Sequence, residues 1–172
     1  IIKLQIQTLT VTYLNGMKLS GNVVKIYDRK RIALLEGFCV TSVSSLYMLD
    51  NEFGNQELLH VSKIFPNLEV LEIGHTDVTT VKGVYLEHLK ILHINDCYIE
   101  DEEVKNICNA FPALEFLELS EVEISTFDDL FFNNLKVLIV RWSKLGNDGL
   151  KSISRACPKL EVLDLTNTYV TS

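Results

Sequence analysis

Proline and positive charge are both scarce in this chain: there are three prolines in 172 residues, and 16 lysines and arginines against 23 acids. A formal charge of −7 and a pI near 5.1 argue against nucleic acid as the main ligand, because phosphate binding needs a basic stripe and the sequence has none. No apolar run approaches the ~20 residues that cross a bilayer, so no membrane partner is expected, and Ile1-Ile2-Lys3-Leu4 lacks a signal-peptide layout. The four cysteines, Cys39, Cys97, Cys108 and Cys157, show neither zinc-type C-x-x-C spacing nor the terminal clustering that caps secreted repeat proteins. With no N-x-S/T site present either, a reducing cytoplasmic or nuclear compartment is expected. Phosphate-binding, zincin and nucleophile-elbow motifs are absent too, so no catalytic residue, metal or cofactor is assigned and the chain reads as a binding protein rather than an enzyme.

What the sequence does have is a period. The apolar spelling L-x-x-L-x-L recurs at Leu68/Leu71/Ile73, Leu89/Leu92/Ile94, Leu114/Leu117/Leu119, Leu135/Leu138/Val140 and Leu160/Leu163/Leu165, with a looser version at Val43/Leu46/Met48. Long units of 25 residues, starting at 43, 89 and 135, alternate with short units of 21 starting at 68, 114 and 160. Alternation with period two marks a strand with one buried face, and strands that restart identically stack in parallel. An apolar anchor follows five residues later in each unit: Phe53, Val78, Ile99, Ile124, Leu145 and Val170.

The long units then show helical spacing at Leu58/Val61/Ile64, Val104/Ile107 and Leu150/Ile153. Polar starters precede each: Asn55-Gln56-Glu57, Asp101-Glu102-Glu103 and Asn147-Asp148. Their expected job is to cap the helix amides and oppose the dipole; a calcium loop is the rival, without its D-x-D-x-D-G ladder. Pro66, Pro112 and Pro158 end the helices. Short units have room only for a turn or a 3₁₀ segment. The expected fold is therefore an α/β leucine-rich-repeat solenoid: a curved parallel sheet on the concave side, with helices of the long repeats and turns of the short ones on the convex side.

Residues 1–172 read as one domain, with 43–172 regular and 1–42 degenerate, and as a fragment of a longer chain. Subtracting 46 from the short-unit pattern gives Ile32, Leu35, Phe38 and Val40, which makes 22–42 an eroded short unit, with Leu4, Ile6 and Val11 an eroded long one. Asn22 and Lys25 then fall where core leucines are expected, and a slip of one residue would reverse the strand's faces.

Strand residues between the leucines point away from the core, onto the inner concave face that repeat proteins commonly use for binding. One column reads Ser45, Val70, Ile91, Phe116, Val137 and Val162, and the next Tyr47, Glu72, His93, Glu118, Ile139 and Asp164. A third reads Leu49, Gly74, Asn95, Ser120, Arg141 and Thr166, with His75, Asp96, Glu121, Trp142 and Asn167 just beyond it. An apolar stripe flanked by carboxylates suits a protein or peptide partner with hydrophobic and basic residues. Tyr47, Phe116, Ile139, Arg141 and Trp142 are its expected anchors, Glu72, Glu118 and Asp164 select positive charge, and His93 completes the set. Two alternatives stand beside this: β-branched residues favour strands for their own sake, and Trp142 could pack on a neighbouring loop. A metal at His75, His93 and Asp96 is the less favoured reading of those side chains, beside solvated surface histidines.

Asn147-Asp148-Gly149-Leu150 followed by Cys157-Pro158-Lys159-Leu160-Glu161-Val162-Leu163-Asp164-Leu165 resembles the leucine-rich receptors of cullin-RING ubiquitin ligases. The alternation of Phe65-Pro66-Asn67-Leu68-Glu69-Val70-Leu71-Glu72-Ile73 with a longer helical unit looks most like the zygote-defective receptors, while Asp148-Gly149-Leu150 with Cys157-Pro158 looks more like F-box leucine-rich proteins. The resemblance covers 43–172 and includes no F-box or cullin-box helix pair. It implies substrate recognition without chemistry, with a cullin and adaptor bound through regions outside this segment. The alternative is a leucine-rich scaffold or regulatory protein unconnected with ligases.

Overall fold

The computed structural model describes residues 12–14, 17–20, 22–26, 37–49 and 53–171. Among these residues nine strands form one open sheet in sequence order. They are β1 (Thr12–Leu14), β2 (Met17–Ser20), β3 (Val23–Ile26), β4 (Ser45–Leu49), β5 (Val70–Gly74), β6 (Ile91–Asn95), β7 (Phe116–Ser120), β8 (Val137–Arg141) and β9 (Val162–Asp164). From β3 onward every pairing is parallel, and equivalent leucines sit side by side: Leu46, Leu71, Leu92, Leu117, Leu138 and Leu163 form one row. Consecutive strands bond directly to each other, as in a one-dimensional stack in which each repeat covers its neighbour's apolar face.

The core is a single cluster running the length of the stack. The inward strand residues from Leu46 to Val140 are fully buried, and so are the turn-back anchors Phe53, Val78, Ile99, Ile124 and Leu145. Val170 is partly buried. Helices occur in the long units alone among the described residues: α1 (Asn55–Ile64), α2 (Asp101–Ala110) and α3 (Asn147–Ala156). They bury Leu58, Val61 and Ile64, then Val104 and Ile107, then Ile153, while Leu150 is half exposed. Phe65, Phe111 and Cys157 close the helices just before the prolines. Short units cross the convex side in turns.

Two expectations change. At the N-terminal end the sheet is not built of repeats: β1–β2 and β2–β3 pair antiparallel. In β3, Val24 lies against Leu46 and Ile26 against Met48, an offset of 22 that buries Val24 and Ile26 and turns Lys25 outward. At this strand the 46-residue subtraction is out by one, and a one-residue shift inverts a strand, so the core positions are Val24 and Ile26 and not Asn22 and Lys25. The subtraction holds at Val40, whose N–H donates to the Ile64 carbonyl as that of Leu86, 46 residues on, donates to Ala110. Val40 is buried and Phe38 packs on the core, whereas Leu4, Ile6, Val11, Ile32 and Leu35 lie outside the described residues.

The polar helix starters keep the expected place, with Glu57, Asp101, Glu102, Glu103 and Asp148 in the first turns where acids oppose the dipole, but their capping differs from expectation. No side chain at the N-cap positions Gly54, Glu100 or Gly146 caps its helix, and the one local closure is the Gly54 N–H donating to Glu57 Oε2 at 3.0 Å. Asn55, Asp101 and Asn147 reach into the following short unit. Asn55 Oδ1 accepts from the amides of Thr79 (2.8 Å) and Thr80 (3.1 Å), Asp101 Oδ1 from Ser125 (2.7 Å) and Thr126 (3.1 Å), and Asn147 Oδ1 from Thr171 (2.9 Å). The next amide along is taken from the other side: Val81 N–H donates to Glu103 Oε2 at 3.1 Å and Phe127 N–H to Ser152 Oγ at 2.8 Å. A turn without a helix of its own has its amides satisfied by the helices flanking it.

Candidate functional site

The in-register stack lines up the outward columns as the sequence suggests. Val70, Ile91, Phe116 and Val137 are neighbours on successive strands, as are Tyr47, Glu72, His93, Glu118, Ile139 and Asp164. All are half-buried apart from Val162 at the end of the first row, which is 52% exposed. Side chains in rows ~4.8 Å apart shield one another, so an outward strand position is rarely bare.

Two of the three carboxylates of this face, Glu118 and Asp164, already have partners. Glu118 Oε2 lies 2.8 Å from His93 Nδ1, and Glu118 Oε1 accepts from Ser120 Oγ at 3.2 Å. His93 also packs on Phe116, with ring centroids 4.8 Å apart. Arg141 donates to Asp164 Oδ2 through Nε at 2.9 Å and Nη2 at 2.5 Å, and Thr166 donates to Asp164 Oδ1 through N–H and hydroxyl. The guanidinium first, then the Thr166 donors, hold the Asp164 carboxyl well below the usual carboxylate range. Glu72 forms no ion pair among the described residues. At the N-terminal end Lys25 Nζ sits 5.1 Å from the centre of the Tyr47 ring.

His75 and His93 diverge. His75 Nδ1 lies 2.8 Å from Asp96 Oδ2, while His93 turns to Glu118, and among the described residues no three metal-ligating side chains converge. Cys97 is buried beside Thr76 Oγ1 at 3.3 Å, and burial pushes its thiol up. Burial likewise pushes the Cys157 thiol up to about 12.

Trp142 stands off the sheet face, on the rim. It follows β8 in the left-handed backbone region (φ 55°), and His75, Asp96, Glu121 and Asn167 hold the same conformation in their own repeats. The reason is a hydrogen bond: the 75, 96, 121 and 142 amides donate to carbonyls of Asn95, Ser120, Arg141 and Thr166, which extends the ladder one residue past each strand. His, Asp and Asn tolerate this conformation best, and a tryptophan there is unusual. Trp142 is 61% exposed and, with Tyr169, Val122, Ser143 and Thr168, lines a hollow of about 420 Å³. Sequence reasoning overlooked Tyr169, at 71% exposure; Lys144, two residues after Trp142 and 25 before Tyr169, shares its column and was the available signal.

Residues 85–108 and 133–154 match the family model described as Leucine Rich repeat. No curated protein matches by sequence. Among solved structures, the chain is similar to an internalin from Listeria monocytogenes, with a TM-score of 0.61 and 20% identity over 87% of this chain and 43% of that one. This chain therefore spans less than half the length of that structure, and at such identity the likeness concerns the fold. Leucine-rich-repeat domains generally serve as protein-interaction scaffolds without catalysis of their own. In-register parallel strands, helices in alternate units and the matched segments together make this chain an α/β leucine-rich-repeat solenoid.

Proposed function

We propose that this solenoid is a protein-interaction module that holds an extended segment of its partner across the concave sheet face. The observation that carries the reading is the unbroken half-exposed apolar row Val70, Ile91, Phe116 and Val137, flanked by Tyr47, Glu72, His93 and Ile139. Apolar and aromatic side chains in a line supply the area of an interface, and polar neighbours supply its register. Glu118 and Asp164 are engaged with His93 and Arg141, which leaves Glu72 as the carboxylate that would meet a basic residue of the partner.

The finer reading, supported by the resemblance of 147–165, is the substrate-recognition segment of a cullin-RING ubiquitin ligase receptor, acting in cytoplasm or nucleus. Affinity purification of the full-length protein with and without Glu72→Lys and Phe116→Ala tests both levels. The expected result is loss of one partner set in the variant with an unchanged melting temperature, and co-purification of a cullin and adaptor with both forms. Retention of every partner by the variant would refute the face assignment. Absence of cullin would refute the ligase reading while leaving the module intact.

A further inference from the structure

A second surface lies beyond the sheet, on the rim formed by the turns after β7, β8 and β9 and by the start of α2. Two hollows adjoin there and share Glu123 and Lys144. The first is the aromatic hollow between Trp142 and Tyr169. The second, about 300 Å³, is lined by Glu100, Asp101, Glu102 and Ser125 besides the shared pair.

The charge across the pair is lopsided. Glu100, Asp101, Glu102 and Glu123 stand against Lys144 alone, four negative charges to one positive. Asp101 is committed to Ser125 and Thr126, and Glu123 to Lys144. Glu100 and Glu102 are exposed and make no ion pair among the described residues. Beside them the exposed Trp142 and Tyr169 offer aromatic faces, whose quadrupoles attract cations as the carboxylates do. The side chain that satisfies both halves is arginine, which stacks its flat guanidinium on an indole and bonds a carboxylate edge-on. A bulky aromatic kept in a left-handed backbone position has no explanation in the stacking of the repeats, since the other units use His, Asp, Glu or Asn there.

We propose that this rim is a docking surface for an arginine-bearing peptide segment of a partner protein, with one guanidinium stacked in the Trp142/Tyr169 hollow and a neighbouring basic residue over Glu100 and Glu102. It is separate from the sheet-face site and stands whether or not that site is used. Trp142 is the chain's sole tryptophan, so its fluorescence reports the event directly.

The test is a titration of the protein with acetyl-Arg-Ala-Arg-Ala-Arg-amide, with the lysine and glutamate versions of the peptide run alongside, followed by both fluorescence and calorimetry. The expected result is a saturable Trp142 change with the arginine peptide, weaker with lysine and missing with glutamate. Affinity should fall about fivefold in Glu100→Gln/Glu102→Gln, two exposed residues whose neutralisation leaves folding alone. Calorimetry should show about a tenfold loss in Trp142→Ala and none in Glu72→Gln on the sheet face. A linear, non-saturating change, an equal response to the glutamate peptide, or unaltered affinity in the Glu100/Glu102 variant would overturn the proposal.

Discussion

Replacing Gly149 by alanine sets two well-measured effects against each other, and the structure says which one wins. Gly149 is the third residue of α3 and is buried where the helix meets the turn of the preceding short unit. On helix propensity alone Gly149→Ala should stabilise by about 0.8–1 kcal/mol. The added Cβ would stand 2.7 and 2.8 Å from Leu145 Cδ1 and Cγ, and closer still to the Ser125 carbonyl oxygen. That carbonyl cannot easily retreat, because both the amide and the hydroxyl of Ser125 are bonded to Asp101, at 2.7 and 2.6 Å. Leu145 is itself a fully buried turn-back anchor. Relief therefore requires α3 to move outward, and overpacking of this kind costs about 1–3 kcal/mol. With the larger propensity gain subtracted, the variant should come out up to about 2 kcal/mol less stable than the parent. Urea denaturation followed by circular dichroism checks this through the midpoint, with Lys151→Ala on the exposed side of α3 as the neutral control. A Gly149→Ala midpoint at or above the parent's would show that the helix sits more loosely on the turn than these distances state, and the close-approach reasoning would fall.

Leu138→Ala, at a fully buried strand position, should cost about 2–5 kcal/mol, which a melting curve against the parent checks. Trp142→Gly should raise stability by about 1 kcal/mol through relief of the left-handed strain, a shift of about 2–4 °C, and a lowered melting temperature would mean that the ring's packing outweighs the strain. The buried Cys157 thiol has a folded-state value of about 12, above its unfolded one, so its contribution to stability is complete below the unfolded value and drains away as pH rises from there through about 12. Denaturation midpoints should decline over that alkaline range, less steeply in Cys157→Ala. Asp164 has the opposite sign: its depressed value means a contribution present above the unfolded pKa and lost as acid protonates it, and Arg141→Ala should flatten that part of the acid profile.

The sequence makes the stack legible because one instruction, the leucine triplet, is repeated until errors average out. Leu71, Leu92, Leu117 and Leu138 had to share a row once their spacings were seen. Where the instruction is written once, as at Val24 and Ile26, a one-residue ambiguity had no second copy to correct it. The outward columns were equally readable, since they follow from the same register. Their pairing was not: whether Glu118 faces a partner or His93 depends on side-chain rotamers, which periodicity does not encode. The polar starters misled because acids and amides before a helix fit a cap as well as a tether, and only the recurrence of Thr79-Thr80, Ser125-Thr126 and Thr171, 24 or 25 residues downstream, separates the two.

The borrowed amides of the short-unit turns set a rule for how such an array can change length. The turn at 79–81 takes one acceptor from α1 and another from α2, and the turn at 125–127 takes one from α2 and another from α3. Excising a short unit alone would set two helices against each other with their acceptors facing no donor, and excising a long unit alone would strand the amides of two adjoining turns. Removing or duplicating 46 residues leaves every match in place. Growth and shrinkage of this protein by gene rearrangement should therefore proceed in whole pairs, and an engineer who wants a longer or shorter version should cut by the same measure.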